Sequence, residues 1–99
     1  MINIDEEHHV TIKSILQRFI PNTPVWAFGS RITQHFKPYS DLDLVIVGRE
    51  RIPQSVYYQI KDAMEESVLP FKVDVLDWHR ISPSFQKIIQ KKYEIVINE

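Results

Sequence analysis

The spacing of apolar positions changes along the chain, and each change marks an element. Behind Asp5, Glu6 and Glu7, the residues Val10, Ile12, Ile15, Leu16, Phe19 and Ile20 recur near helical spacing. This predicts an amphipathic helix N-capped by Asp5, with its first-turn acids at the positive end of the dipole. Pro21 is expected to stop it. Val25-Trp26-Ala27-Phe28, between Pro24 and Gly29, reads as a short buried strand that ends in a tight turn. A short helix beginning at Ser30 and running through Ile32 and Thr33 is expected after that turn. In Asp41–Val47 the period is two, so Leu42, Leu44 and Ile46 share one face while Asp41, Asp43, Val45 and Val47 share the other. Pro53 suits the N1 position of a second long helix, carried by Val56, Tyr57, Ile60, Ala63, Met64 and Val68 and ended by Pro70. Phe71 to Leu76 alternates as a third strand, Ser82-Pro83 opens a last helix with Phe85, Ile88 and Ile89, and Glu94–Ile97 offers a final strand. The order αβ(short α)βαβαβ predicts an α/β (α+β) fold, a small mixed β-sheet with helices packed against it. Strand order is left open.

Composition narrows what such a fold can do. The chain has 99 residues, no repeat and no Pro-rich or Gly/Ser-rich linker, so residues 1–99 are expected to form a single domain with one core. Without cysteine there is no disulfide framework, thiolate zinc site or thiol nucleophile, and any metal must be held by oxygen or imidazole. Twelve Lys+Arg against thirteen Asp+Glu give a formal charge of −1, which provides no field for strong nucleic-acid binding. The N-terminus is acidic where a signal peptide needs basic residues, and no apolar stretch could span a membrane, so a cytoplasmic protein is expected.

The chemistry is concentrated in three aspartates and one turn. Asp41 and Asp43 lie on one face of a strand, about 7 Å apart, and Asp74 sits in a later strand among Val and Leu. Acids in such surroundings need compensation, and clustered carboxylates suit one or two divalent cations with hard oxygen ligands, Mg²⁺ above all. Gly29 allows a sharp turn and close approach of a phosphate. Ser30 and the amides behind it would face the anion at a helix start, and Arg31 adds a planar donor. Metal and phosphate at one point define phosphoryl or nucleotidyl transfer by in-line displacement.

Gly29-Ser30, then ten intervening residues, then Asp41-Leu42-Asp43, then a later strand aspartate, resembles the polymerase-β-like nucleotidyltransferase superfamily. The segments Trp26-Ala27-Phe28-Gly29-Ser30-Arg31, Tyr39-Ser40-Asp41-Leu42-Asp43-Leu44 and Lys72-Val73-Asp74-Val75-Leu76-Asp77-Trp78 are similar to those of its minimal nucleotidyltransferases, small bacterial and archaeal proteins paired with a HEPN-domain partner. The resemblance covers nearly the whole chain and implies a polymerase-β palm-like core. It implies that Asp41 and Asp43 ligate the metal, that Asp74 completes the metal site and helps activate the incoming hydroxyl, and that Gly29 and Ser30 hold the nucleotide phosphates, with Arg31 beside them. It further implies ATP as substrate, two Mg²⁺ ions or Mn²⁺ in their place, and the antitoxin role of a HEPN toxin pair, adding AMP to a tyrosine of the toxin. The length departs from that of larger relatives, which carry a separate acceptor-binding domain.

Two further readings compete with this protein adenylyltransferase. A binding module could neutralise the same HEPN partner by complex formation, without using the aspartates. A free-standing transferase for a small molecule is disfavoured, because a chain this short leaves little protein for an acceptor pocket. Homodimer and hetero-oligomer both stay open. Trp26 and Trp78 are expected in a core or interface rather than on a base, Asp77 at a strand end or turn, and Arg49-Glu50-Arg51 in a solvated loop. Lys87, Lys91 and Lys92 are assigned to a solvated helix face, and the four histidines to the surface, without zinc spacing.

Overall fold

The computed structural model of the chain describes residues 4–29, 32 and 41–98. Among these residues three α-helices, α1 (Glu6–Phe19), α2 (Gln54–Glu66) and α3 (Pro83–Lys91), accompany four strands, β1 (Val25–Phe28), β2 (Leu42–Ile46), β3 (Val73–Asp77) and β4 (Glu94–Ile97). The strands form one sheet in the order β3-β2-β1-β4. β1 runs antiparallel to β2 and β4, whereas β2 and β3 are parallel. A parallel pair needs a long crossover, and α2 supplies it. The mixed sheet expected from the sequence is therefore present.

The period of two in β2 divides the molecule. Leu42, Leu44 and Ile46 are fully buried, together with Val25, Ala27 and Val75, against Ile12 and Leu16 of α1 and Tyr57, Ile60 and Met64 of α2. Burying each large aliphatic side chain contributes about 1.5–3 kcal/mol. A one-residue slip would drive Asp43 into this core, so burial fixes the register. On the other face Phe28, Val45 and Ile89 form a second, smaller cluster with Trp26, Leu76, Trp78 and Phe85. Trp26 stacks on Tyr93 at 4.0 Å and meets Trp78 edge-on at 5.5 Å, so both tryptophans pack in a core as expected.

Several boundaries differ from the sequence reading, each for a local reason. Asp5 stands at the N-cap of α1, yet its backbone carbonyl, not its side chain, accepts the His8 and His9 amides. Pro53 precedes α2 instead of occupying its first turn, its carbonyl accepting the Tyr57 N–H at 3.0 Å. α2 stops at Glu66, before Pro70 is reached, because the Ser67 hydroxyl donates to the Met64 carbonyl at 2.5 Å and ends the ladder. β3 lies at Val73–Asp77, one or two residues later than expected, where the Leu42 amide bonds the Lys72 carbonyl at 2.9 Å and starts the parallel pairing. Ser82 caps α3 as expected, accepting the Phe85 N–H at 3.2 Å with Pro83 in the first turn. Of the short helix expected after Gly29, only Ile32 is described; it donates to the Gly29 carbonyl at 3.4 Å. Among the described residues no helix is long and apolar enough to cross a membrane.

Candidate active site

The two registers that build the sheet also build an acidic row. Phe28 of β1 pairs with Asp43 of β2, and Asp43 pairs with Asp74 of β3. Paired residues of neighbouring strands point to the same side, so one row across three strands holds an aromatic ring and two carboxylates. Asp41, exposed just before β2, lies two residues from Asp43 and shares its face by parity. The structure thus brings Asp43 and Asp74 side by side, with Asp41 next to them. The oxygens of the three acids do not all come within 4.8 Å of one another, a spacing met among the described residues by Asp5, Glu7 and His8 on the exposed start of α1.

Asp43 is the most constrained of the three. Partial burial raises its carboxyl above the usual aspartate range, and the charges of Asp74 and then Asp41 raise it further. Asp74 has one modest compensation, the Lys72 ammonium 3.4 Å from its Oδ1, with side chains 70% and 41% exposed. An ion pair so open to solvent is weak and easily exchanged. The donor set is all hard oxygen, and its mutual repulsion is the kind a divalent cation removes. These residues therefore fit the Mg²⁺ that the resemblance implies.

Gly29 closes the site from the β1 end. Its φ of +82° lies in the left-handed region, and a Cβ placed there would run into Oδ2 of Asp43 and stand 3.2 Å from its Cγ. Backbone strain and collision both require glycine at this turn. Gly29→Ala is expected to cost about 1–2 kcal/mol in strain alone, lowering Tm by roughly 4–8 °C per kcal/mol, and to weaken Mg-ATP binding by displacing Asp43. Thermal melts and calorimetric titration check both effects, and an alanine variant equal to wild type in both would contradict this account. Ser30 and Arg31, the other expected phosphate contacts, lie outside the described residues.

The sequence reading set Asp77 aside as a strand-end residue and missed its burial. It is 1% exposed and accepts the Ile52 amide at 2.9 Å and the His79 amide at 3.0 Å, with Arg80 paired to the same carboxylate. The Arg80 guanidinium in turn lies 4.8 Å over the Tyr57 ring, whose hydroxyl donates to the Val75 carbonyl at 2.8 Å. Asp77 thus fastens the segment leading into α2 and the turn at Trp78–Arg80 to the end of β3, holding the strand that carries Asp74. The available signal was an aspartate at a strand end with arginine three residues on. The histidines also need correction: His8, His9 and His79 are half-buried, His8 against the edge of Phe71 and His79 bonded to the Gly48 carbonyl at 2.7 Å. His35 lies outside the described residues. Arg49 and Arg51 are exposed as expected, as are Lys87, Lys91 and Lys92.

A parallel β2–β3 pair bearing two aspartates in register, beside a glycine turn at the end of β1, defines the palm of a nucleotidyltransferase. Residues 10–99 match the family model described as polymerase beta, nucleotidyltransferase, and the chain belongs to that family. It is 42% identical over 95 residues to the probable protein adenylyltransferase MntA of Haemophilus influenzae, covering 96% of this chain and 83% of that protein. A crystal structure of a toxin–antitoxin with AMP-PNP superposes with a TM-score of 0.75 at 17% identity, over 92% of this chain and 73% of the other. The structure of a tri-AMPylated Shewanella oneidensis HEPN toxin in complex with its MNT antitoxin gives 0.72 at 16% identity, over 97% and 74%. A spectinomycin adenyltransferase of Enterococcus faecialis with ATP and spectinomycin gives 0.56 at 16% identity, over 92% and 48%. At these identities the structural matches establish the shared fold, which agrees with the expected palm-like core.

Proposed function

We propose that this chain is the antitoxin of a toxin–antitoxin pair and works as a cytoplasmic protein adenylyltransferase, moving AMP from ATP to a tyrosine hydroxyl of a HEPN-type toxin. The observation that carries the reading is the in-register pair Asp43–Asp74 beside a turn that tolerates only glycine. The 42% identity to a probable protein adenylyltransferase supports the substrate class. Asp41 and Asp43 would hold Mg²⁺, with Asp74 completing the set, and Gly29, Ser30 and Arg31 would receive the triphosphate. Mg²⁺, when bound, supplies neutralising charge for the phosphates and for the clustered acids.

The protein's own groups perform the remaining tasks. Gly29 lets the nucleotide approach the backbone above Asp43 without a side chain in the way. Asp74, half-exposed on the same face, takes the acceptor's proton as the phenol oxygen bonds to the α-phosphorus, the α–β phosphoanhydride bond breaks and pyrophosphate leaves. The hydroxyl is held in line by the docked partner, so proximity rather than acid strength supplies much of the rate. Intact-mass spectrometry of the chain coexpressed with its HEPN partner tests the reading. Wild type is expected to raise the mass of a tyrosine-bearing peptide of the partner by one or more AMP units, and Asp41→Asn/Asp43→Asn is not. A partner bound and neutralised equally by both versions, with no added mass, would make this a purely binding antitoxin.

A further inference from the structure

The two edges of the sheet are finished differently. The Leu42 amide bonds the Lys72 carbonyl, so Lys72 faces β2 and, by alternation, Val73, Val75 and Asp77 face outward along β3. That edge is closed: the Tyr57 hydroxyl of α2 donates to the Val75 carbonyl at 2.8 Å, and Arg80 folds onto the Asp77 carboxylate. β4 is the other edge, paired with β1 on one side, and among the described residues no strand pairs with its outer side. The Val47 amide donates to the Pro24 carbonyl at 2.8 Å, so Pro24 and Trp26 face β2 while Val25 and Ala27 face β4. Ala27 is paired with Glu94, which turns the backbone groups of Glu94 toward β1 and the N–H and C=O of Ile95 outward. The Ile95 side chain is 55% exposed, on the side where its pair residue Trp26 stacks on Tyr93. Free sheet edges are commonly blunted by lysine or proline, and Glu94-Ile95-Val96-Ile97 contains neither.

We propose that β4 is the seam of a homodimer, two copies of this chain pairing antiparallel about a twofold axis at Ile95. The Ile95 N–H of each copy donates to the Ile95 carbonyl of the other, a pair that is its own complement, as a twofold contact requires. In this register Glu94 faces Val96, Tyr93 faces Ile97 and Lys92 faces Asn98 of the second copy, so no charge meets its like. The two Ile95 side chains meet on one face and leave water together. Growth stops at two copies, because the Tyr57 hydroxyl occupies the β3 edge that a head-to-tail array of sheets would need. Both acidic rows then lie on the same face of one continuous sheet, roughly 24 Å or more apart across the intervening strands. Each site stays open to its own acceptor.

Sedimentation of the full chain, with amide hydrogen exchange at Ile95, tests the seam. A contact of four residues per copy is small, so half-dimerisation is expected near roughly 100 μM, with exchange at Ile95 slowing as concentration rises. Ile95→Lys, which sets two like charges at the axis, and Ile95→Pro, which removes only an outward N–H, should both remain single chains at that concentration. Ile95→Lys should melt like wild type when dilute. Val68→Lys, at an exposed apolar position away from β4, controls for added charge and should dimerise like wild type. A wild type that stays a single chain up to about 1 mM would overturn the proposal. So would a dimer that Ile95→Lys leaves intact, or one that forms without slowing exchange at Ile95. Protection of Ile95 that appears only when a HEPN-type partner is added would give this edge to the partner instead. Should Ile95→Lys fail to fold, Ile95→Pro and the concentration dependence of the wild-type Ile95 amide decide between these outcomes.

Discussion

Asp43→Asn is expected to abolish adenylyl transfer, by on the order of 10³-fold or more, while raising the melting temperature of the metal-free protein. Both effects come from one carboxylate. In the native state its pKa stands above the ordinary 3.8, through burial first and the charges of Asp74 and Asp41 second. Between those two values the folded chain holds a proton that the unfolded chain has lost, so wild-type stability falls as pH rises through that window. At neutral pH the full penalty is present, and asparagine removes it. The gain should be on the order of 1 kcal/mol, a rise of roughly 4–8 °C in a chain of this size, and should vanish well below pH 3.8, where aspartate is protonated in both states. Added Mg²⁺ should narrow the gap at pH 7 by stabilising wild type alone. Melts at neutral and acid pH, with and without Mg²⁺, check the sign, and a neutral-pH melt lowered by many degrees would make Asp43 structural instead.

Asp77→Ala should do the reverse and unfold much of the protein while touching no reacting atom. The carboxylate is buried and accepts from two backbone amides and a guanidinium. Truncation leaves the Ile52 and His79 amides without acceptors and Arg80 without its counter-charge, a loss of about 3–5 kcal/mol and of more than roughly 10 °C in Tm. Asp77→Asn, keeping one oxygen, should fall between. Urea titration reads this as a lower midpoint with an unchanged slope. A cost below about 1 kcal/mol would mean that the hub holds nothing together.

These two aspartates also mark where the sequence could and could not be read. Asp43 was legible because its neighbours alternate: Leu42, Leu44 and Ile46 claim one face, and the acid is left on the other. The spacing from Gly29 and Ser30 then named the chemistry. Asp74 and Asp77 have opposite parity on one strand, and Asp74, the one the resemblance matched, is the one that pairs with Asp43. The burial of Asp77 was not legible, because its partners at Ile52 and Arg80 come from segments whose proximity depends on the crossover. Strand order was hidden for the same reason: pairing β4 with β1 joins residues about seventy positions apart, and no local spacing encodes it. The bounds of α2 were misread at both ends, where the Pro53 carbonyl opens the helix from one residue before it and the Ser67 hydroxyl ends it ahead of Pro70.

The parallel register of β2 and β3 has a kinetic side. Asp43 and Asp74 meet only when the intervening chain has closed on itself, and α2, which packs on α1 in the folded chain, lies within that loop. The apolar pairs Leu44–Val75 and Leu42–Val73 flank the acids on the opposite face, so the same act of zippering that rewards the core forces like charges together. Electrostatic resistance to closure is therefore concentrated in the final registration of one strand against another. The hydrophobic gain of setting Leu42 and Leu44 against Val73 and Val75 and the repulsion between Asp43 and Asp74 thus belong to one and the same strand registration.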